Sequence, residues 1–553
     1  MDPPITRKQP SITVSPCKED CESPPVCTES IDGNLQSQRS KKCIFFFLSM
    51  VTLTQAFDAT CICVTLPIIA SELDSSVSES LSLGTTFLLA TTVSQPIFSE
   101  LSHVVGRKPA YLAALVVFIS GTVICGCAKS SLVLLIGRTI QGAGAGGPQA
   151  LSAVILTDLF PLRKRARYVS FLNIPWAIGT IAGPLIGGAF AGNDKIGWRW
   201  IFWINVPTLA LSVVGASFLL GYDRPKQRFW CLLARVDWIG ILLFVISAVS
   251  LLLPLSWGGS NFAWKSPQVL TPIVASTMGF VTLGGFEKWY SEKPMFPPSV
   301  FRDRSTIMLY ITTMLHGMIL YMVLYYLAVF YLGVKSLSPV MTGVWALPAT
   351  LTVAPSAMVV GIVLSKTGQY RGFLLSGWCL TTISLGVMIL LDEDMPSGTL
   401  IPITALLGIA MGVLVPAMSV GVQATVGSKD AGHAVAMIYV LRSAGQCLGV
   451  AVGLSVFSSQ LRSGLEGLGQ GKDAAQDTMK AIRHSIKTGD LADAAMLDAV
   501  VTALSWVWVT GCTIAAAAGI LAISQTEGAR LQKVPQPPRT EARPPVSGGE
   551  GDI

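Results

Sequence analysis

Apolar runs of membrane-spanning length recur along nearly all of a 553-residue chain, with short polar stretches between them. A bilayer core about 30 Å thick is crossed by about 20 apolar residues in helical conformation, so each run is a candidate span. Composition agrees with this reading. Hydrophobic residues make up 51% of the chain and charged residues only 13%, against about a quarter charged in soluble domains. Mean hydropathy is +0.59. A soluble multi-domain enzyme would need polar surface that this chain lacks. The sequence therefore predicts an all-α membrane protein.

Fourteen spans are expected, near 43–67, 81–102, 109–128, 131–158, 166–191, 200–221, 236–254, 269–285, 305–331, 338–364, 372–391, 398–420, 431–458 and 501–524. The polar tail over 1–42 carries Pro, Ser and charge and reads as disordered, as does the Pro-rich tail over 525–553. The first apolar run starts too late for a cleavable signal peptide, so the first helix is expected to be its own insertion signal.

The net charge of +7 is not gathered into a basic run with interleaved aromatics, which argues against nucleic acid as a partner. Lys and Arg instead crowd the polar stretches on the side of the N-terminus. Five of the few on the other side lie in the long loop 459–500. Both termini are therefore expected in the cytoplasm, which demands an even number of spans. Twelve cysteines are present, none in a segment expected outside the cell, so no disulfide framework is implied. Cys61/Cys63 and Cys125/Cys127 are one residue apart and lack nearby His, a poor match to zinc spacing. No metal and no cofactor are expected.

Charged and polar residues inside apolar runs are functional candidates, because the bilayer penalises them unless they are paired, protonated or facing water. Asp58 and Arg138 are the two strongest. On a helix, Asp58 shares a face with Thr54, Cys61 and Thr65, while Arg138 shares one with Gln141, Ala145, Gln149 and Ser152. Two readings stand side by side: a structural pair that locks two helices, or a pair whose rearrangement follows protonation of Asp58. Asn173, His316, Tyr325, Tyr326, Gln423, His433, Arg442 and Gln446 form a second group of polar residues within spans. Trp345, Trp378, Trp506 and Trp508 read as interface anchors or packing.

Gly179, Gly183 and Gly187 are spaced four apart in the fifth span, with Pro184 and Gly188 beside them. They form a smooth stripe that lets a neighbouring backbone approach closely. Two glycine-rich strings fail their own context tests for nucleotide binding. Gly142–Gly147 fits a dinucleotide pattern but lies in an apolar helix with no preceding strand, and Gly469-Gln-Gly471-Lys472-Asp473 lacks the Ser/Thr and the earlier Gly of a phosphate loop. No nucleotide partner is expected, so energy must come from an ion gradient or from downhill substrate flow. A short loop after the second span, Ser99 to Lys108, is echoed by Gly361 to Arg371 after the tenth, as parallel repeats would produce.

Taken in order, these motifs resemble a known family. Gly179-Thr-Ile-Ala-Gly183-Pro184-Leu-Ile-Gly187-Gly188 looks like the antiporter motif of drug:proton exporters in the major facilitator superfamily. Arg138-Thr-Ile-Gln141-Gly142, Phe57-Asp58-Ala-Thr60 and Trp198-Arg199-Trp200 through Asn205-Val-Pro207 resemble further motifs of its fourteen-span branch. Arg442-Ser-Ala-Gly445-Gln446 is similar to the fungal toxin and multidrug efflux pumps. The resemblance covers about residues 43–525.

It implies a six-helix bundle over 43–221, two inserted helices and a linker over 222–304, and a second six-helix bundle over 305–524. It also implies a monomer in the plasma membrane, or alternatively a vacuolar or vesicular one, that exchanges protons for small amphiphilic organic compounds. Asp58 and Arg138 become the proton-coupling pair, and Thr54, Gln141, Gln149, Asn173, His316, Gln423 and Gln446 the expected cavity lining. Gly179, Gly183, Pro184, Gly187 and Gly188 become the conformational element, and Ser99, His103, Gly106, Arg107 and Lys108 the gating loop. That loop departs from the family pattern: Ser99 stands for its usual Gly and His103 for its usual Asp. A histidine titrates near neutral pH and cannot serve as an anion, so Glu100 is the expected substitute. Two rival functions remain, a proton-coupled importer and a ligand sensor that does not transport; an enzyme is not expected.

Overall fold

The computed structural model describes residues 38–73, 77–160, 162–193, 196–221, 236–258, 262, 264–290, 294–426, 430–467 and 494–524. Most of the expected N-terminal tail, all of the tail over 525–553, residues 222–235 and the centre of the 459–500 loop lie outside the described residues. Among the described residues every regular element is helical, apart from an isolated bridge between Gly258 and Phe262. The elements are α1 (Gln38–Glu72), α2 (Val77–Val104), α3 (Arg107–Gly126), α4 (Ser131–Leu159), α5 (Leu162–Ala191), α6 (Trp200–Trp203) and α7 (Asn205–Leu219). After them come α8 (Trp238–Trp257), α9 (Pro267–Trp289), α10 (Arg304–Val329), α11 (Pro339–Leu351), α12 (Val353–Thr367), α13 (Arg371–Met388), α14 (Ser397–Thr425), α15 (Ala431–Gly467) and α16 (Ala494–Ile523).

Several boundaries differ from the sequence expectation. α1 begins at Gln38, inside the expected tail, and α15 and α16 each extend into the expected long loop. The sixth span is broken at Ile204, between α6 and α7. Pro207 lacks the N–H that would bond back to the Trp203 carbonyl, so the helix gives way there. The tenth is broken at Thr352 for the same reason, one turn ahead of Pro355. The Thr352 hydroxyl holds that break by donating to the carbonyls of Pro348 at 2.8 Å and Ala405 at 3.2 Å.

With each broken span counted once, fourteen helical rods run through the described residues. Eleven are long and apolar enough to cross a membrane on those grounds alone. α2, α4 and α13 are not among them. α2 carries Thr91, Thr92, Ser94 and Gln95, and α4 carries Arg138 and Gln141, all buried inside the protein and lowering average hydropathy. α9 shows the opposite pattern: Leu270, Val274, Met278 and Val281 all point outward.

α1 to α7 pack on one another, with the closest associations between α1 and α5, α2 and α4, and α3 and α4. α10 to α16 form the second group, in which α10 lies along α15 and α13 touches α14 and α16. The two groups meet along two seams, α5 against α11 and α12, and α2 against α15. α8 and α9 pair with each other, and α8 rests on α2 and α15. A separate small core of Val93, Ile241, Phe244, Leu283, Met295 and Val440 fixes the pair there.

Candidate functional site: a buried ion pair and two adjoining cavities

Asp58 on α1 and Arg138 on α4 meet inside the first helical group. Arg138 Nη1 donates to Asp58 Oδ2 at 2.6 Å, with side-chain exposures of 1% and 0%. Three further groups complete the cluster. Gln141 Nε2 donates to Asp58 Oδ1 at 2.9 Å and contacts Thr122 Oγ1 at 3.1 Å, while Gln141 Oε1 accepts from Arg138 Nη1 at 2.8 Å. Asn205 Nδ2, at the start of α7, donates to Asp58 Oδ1 at 3.3 Å. Arg138 Nε reaches the Leu83 carbonyl at 3.4 Å, and its guanidinium lies 4.2 Å from the Phe87 ring centre. A pair this dry gains nothing certain over an apolar replacement, but losing one partner costs about 3–5 kcal/mol because the other charge is stranded.

The glycine stripe of α5 packs on the segment of α1 that carries Asp58. A Cβ at Gly179 would overlap the Leu53 carbonyl oxygen, and one at Gly183 would overlap Thr60 Oγ1. At Gly187 it would meet Cys61 Cβ and O at 3.0 Å. Only glycine permits this approach, so a shift of α1 toward α5 is transmitted by direct backbone contact. Pro184 and Gly188 are buried in the same stretch. Pro184 also faces the second helical group, since a Cβ on Gly343 of α11 would come within 3.1 Å of its carbonyl carbon.

Between the two groups lie two adjoining cavities. The larger, about 890 Å³ counted with the open space at its mouth, is lined by Thr60, Trp176, Ala177 and Thr180 on one side. Apolar residues of α10, α12 and α14 line the other, among them Leu320, Leu324, Leu327, Val353 and Met411. The smaller, about 460 Å³ on the same measure, is the more polar of the two: Thr52, Gln55, Gln149, Ser152, Tyr439 and Gln446 line it beside Leu172. Trp176 and Arg442 border both.

The expected cavity residues divide. Gln149 and Gln446 line the polar cavity, and Gln149 Oε1 also accepts from Gln95 at 3.0 Å. Gln141 belongs to the ion-pair cluster instead. Thr54 Oγ1 lies 3.0 Å from Thr208 Oγ1 and ties α1 to α7. His316 is buried with its Nε2 3.1 Å from the Met411 carbonyl oxygen, behind the apolar wall rather than in it. Gln423 donates to the Ser419 carbonyl on its own helix at 3.2 Å, and the side chain of Asn173 lies outside the described residues. Trp378 and Trp508 are interior packing, whereas Trp506 is exposed. Among the described residues, no cluster of His, Cys, Asp or Glu could hold a metal.

The sequence reading missed Asn205 as a partner of Asp58, and Gln55, Trp176 and Tyr439 as cavity walls. Asn205 was visible within its motif. An amide inside a membrane-spanning run is itself a signal that a polar partner stands opposite.

In the loop expected to gate, Arg107 Nε pairs with Asp158 of α4 at 3.1 Å and its Nη1 donates to Ser102 Oγ at 2.6 Å. Lys108 Nζ donates to the Ser217 carbonyl at 2.6 Å. Both cations are thus engaged within the first group. Gly106 adopts φ 106°, a left-handed value that a side chain would strain. Ser99 and Glu100 border a third small cavity with Phe296 and His433. His103 stacks on His433 of α15.

Residues 48–450 match the family model described as Major Facilitator Superfamily. The chain belongs to that superfamily. Like its other members it is a membrane transporter, not an enzyme, and it passes the membrane many times. It is 38% identical over 469 residues to "MFS transporter L2" of Phoma sp., covering 83% of this chain and 78% of that protein. It is 34% identical over 420 residues to "MFS efflux transporter aclA" of Aspergillus oryzae, covering 76% of each. It is 32% identical over 447 residues to "Efflux pump FUS6" of Gibberella fujikuroi, covering 79% and 80%. Among solved structures, a bacterial homologue of the human lysosomal transporter Spinster, inward-facing and unoccupied, superposes with a TM-score of 0.56 at 15% identity, over 89% of this chain and 100% of that one. The major facilitator fold is shared despite the low identity.

Proposed function

We propose that this transporter exports small amphiphilic organic compounds in exchange for protons, by alternating access between the two helical groups. The observation that carries the reading is the pair of adjoining cavities, one apolar and one polar, lying between those groups. A single small molecule with an apolar body and a polar head would find a matching wall for each. The relatives named as efflux pumps favour the outward direction.

Asp58 and Arg138 are the coupling pair. Protonation of Asp58 would cancel the attraction that holds Arg138 and reset the cluster with Gln141 and Asn205. α1 is locked to α5 through Gly179, Gly183 and Gly187, so a reset there would move the cavity wall at Trp176 and Thr180. Gly183, Pro184, Gly187 and Gly188 are the conformational element, and the loop from Ser99 to Lys108 is the gate. The transporter acts as a monomer in the plasma membrane with both termini in the cytoplasm.

Efflux from proteoliposomes under an imposed pH gradient tests this, with a panel of amphiphilic compounds and Asp58→Asn beside the wild type. Movement against the proton flow, lost in the variant, is expected. Movement along with the protons would make the protein an importer, and equal coupling in Asp58→Asn would remove the ion pair from the mechanism.

A further inference from the structure

Among the described residues the two cavities share one formal charge: neither wall contains Asp, Glu or Lys, and Arg442 borders both chambers. The other arginine within a span, Arg138, has its carboxylate. Among the described residues Arg442 has none. A guanidinium at this depth is costly unless a counter-charge or water meets it, and here the free space around it is the cargo space itself.

We infer that Arg442 is the anchor for an acidic cargo: a small organic oxyanion, a carboxylate or an ionised enol, attached to an apolar body. The guanidinium offers a planar fork of donors that matches a carboxylate or a chelating enolate bidentately, which a lysine cannot do. Tyr439 and Gln446 sit one turn to either side on the same helical face and border the same polar cavity. Their phenol and amide add neutral donors around the head. The body would then extend past Trp176 into the apolar chamber, toward Leu324 and Met411.

The anchor is also held in place. A Cβ on Gly317 of α10 would overlap the Arg442 carbonyl oxygen, so α10 is pressed against the backbone that presents the guanidinium. The assignment deepens the export reading by naming the cargo class, and it rests on that reading for its meaning in the cell.

Its test is a binding measurement that needs neither a gradient nor a direction. The purified full-length chain in detergent is titrated with pyrenebutanoate and with its neutral hydroxyethyl amide, following energy transfer from tryptophan to pyrene. The wild type should bind the acid more tightly than the amide. Arg442→Gln should weaken the acid about tenfold or more and the amide less than about threefold, while Arg442→Lys keeps part of the preference. Equal affinity of acid and amide for the wild type, or equal losses of both in Arg442→Gln, would overturn the proposal. The wild-type comparison decides even if the glutamine variant does not fold. Acid-selective binding with no proton-driven export would sink the antiport reading and leave the anchor; export without acid preference would do the reverse.

Discussion

The imidazole rings of His103 and His433 lie parallel, with centroids 4.4 Å apart and planes 8° apart, and so join the end of α2 to the start of α15. This is a contact across the seam between the two helical groups, at the place where the family resemblance implies a carboxylate. A neutral aromatic stack stands there instead of an ion pair. The seam between α5 and α11 is also closed, at Pro184 and Gly343. Because successive rods alternate in direction, these two contacts lie toward opposite faces of the bundle.

Acid should part the histidine stack. His103 lies one residue past the expected span, where burial first, then the charges of Arg107 and His433, lower its pKa to about 2. It is therefore neutral at physiological pH, not poised to titrate there as its residue type suggests. A depressed histidine pKa means that the open or unfolded state takes up the proton first. The stack is thus fully favoured above about pH 6.5 and loses ground as pH falls below that value. Spin-label distances between α2 and α15 should lengthen on acidification, and His103→Phe should remove that response while keeping the seam closed.

Asp58→Asn should strand Arg138 and destabilise the protein by about 3–5 kcal/mol. Adding Arg138→Gln in the same chain should recover most of that loss, read as thermal unfolding in detergent. Proton-driven export should stay absent in the double variant. Recovery of export together with stability would reduce the pair to a structural lock.

At Gly183 even a methyl group has no room, since it would overlap Thr60 Oγ1 and approach the Cys61 nitrogen to 2.9 Å. Gly183→Ala should cost about 1–3 kcal/mol and slow transport, because α1 and α5 must separate to admit it. Gly372→Ala, at the exposed start of α13 where a Cβ meets nothing within 4 Å, is the control. It should stay within about 0.5 kcal/mol of wild type.

Gly317→Ala tests the support of the anchor without entering a cavity. Overlap with the Arg442 carbonyl should push α15 away from α10 and displace the guanidinium. The acid probe should lose more affinity than the amide, the same ordering as in Arg442→Gln. Loss of both probes in equal measure would mean that Gly317 supports the bundle as a whole.

Asp58 and Arg138 were legible in the sequence because each is a lone charge in an apolar run, and the bilayer leaves such groups few options but each other. The glycines of α5 were legible because a spacing of four is a helical stripe wherever it occurs. The polar stripe of α4 was read correctly as a stripe, but not for what it faces. Gln141 meets Asp58 and Thr122, whereas Gln149, two turns on, borders the central cavity. Which neighbour stands opposite each turn is a property of packing that one helix's periodicity does not contain. His316 lay beyond the same reach: its Nε2 meets the Met411 carbonyl oxygen, its Nδ1 has no partner among the described residues, and the ring borders neither cavity. The breaks at Ile204 and Thr352 precede prolines, but Pro96, Pro148 and Pro416 lie inside unbroken helices, so a proline alone does not mark where a span gives way.

No side chain of the Asp58–Arg138 cluster borders either cavity. Thr52, Gln55 and Thr60 show a different side of α1 to the cargo space than Asp58 shows to Arg138. On the proposed mechanism the engine and the hold are separate compartments of one molecule, linked by the close α1–α5 contact and not by shared residues. Substitutions along α10, α12, α14 and α15 can therefore reshape what is carried without disturbing the buried charge, and a lineage can change its cargo while keeping its drive.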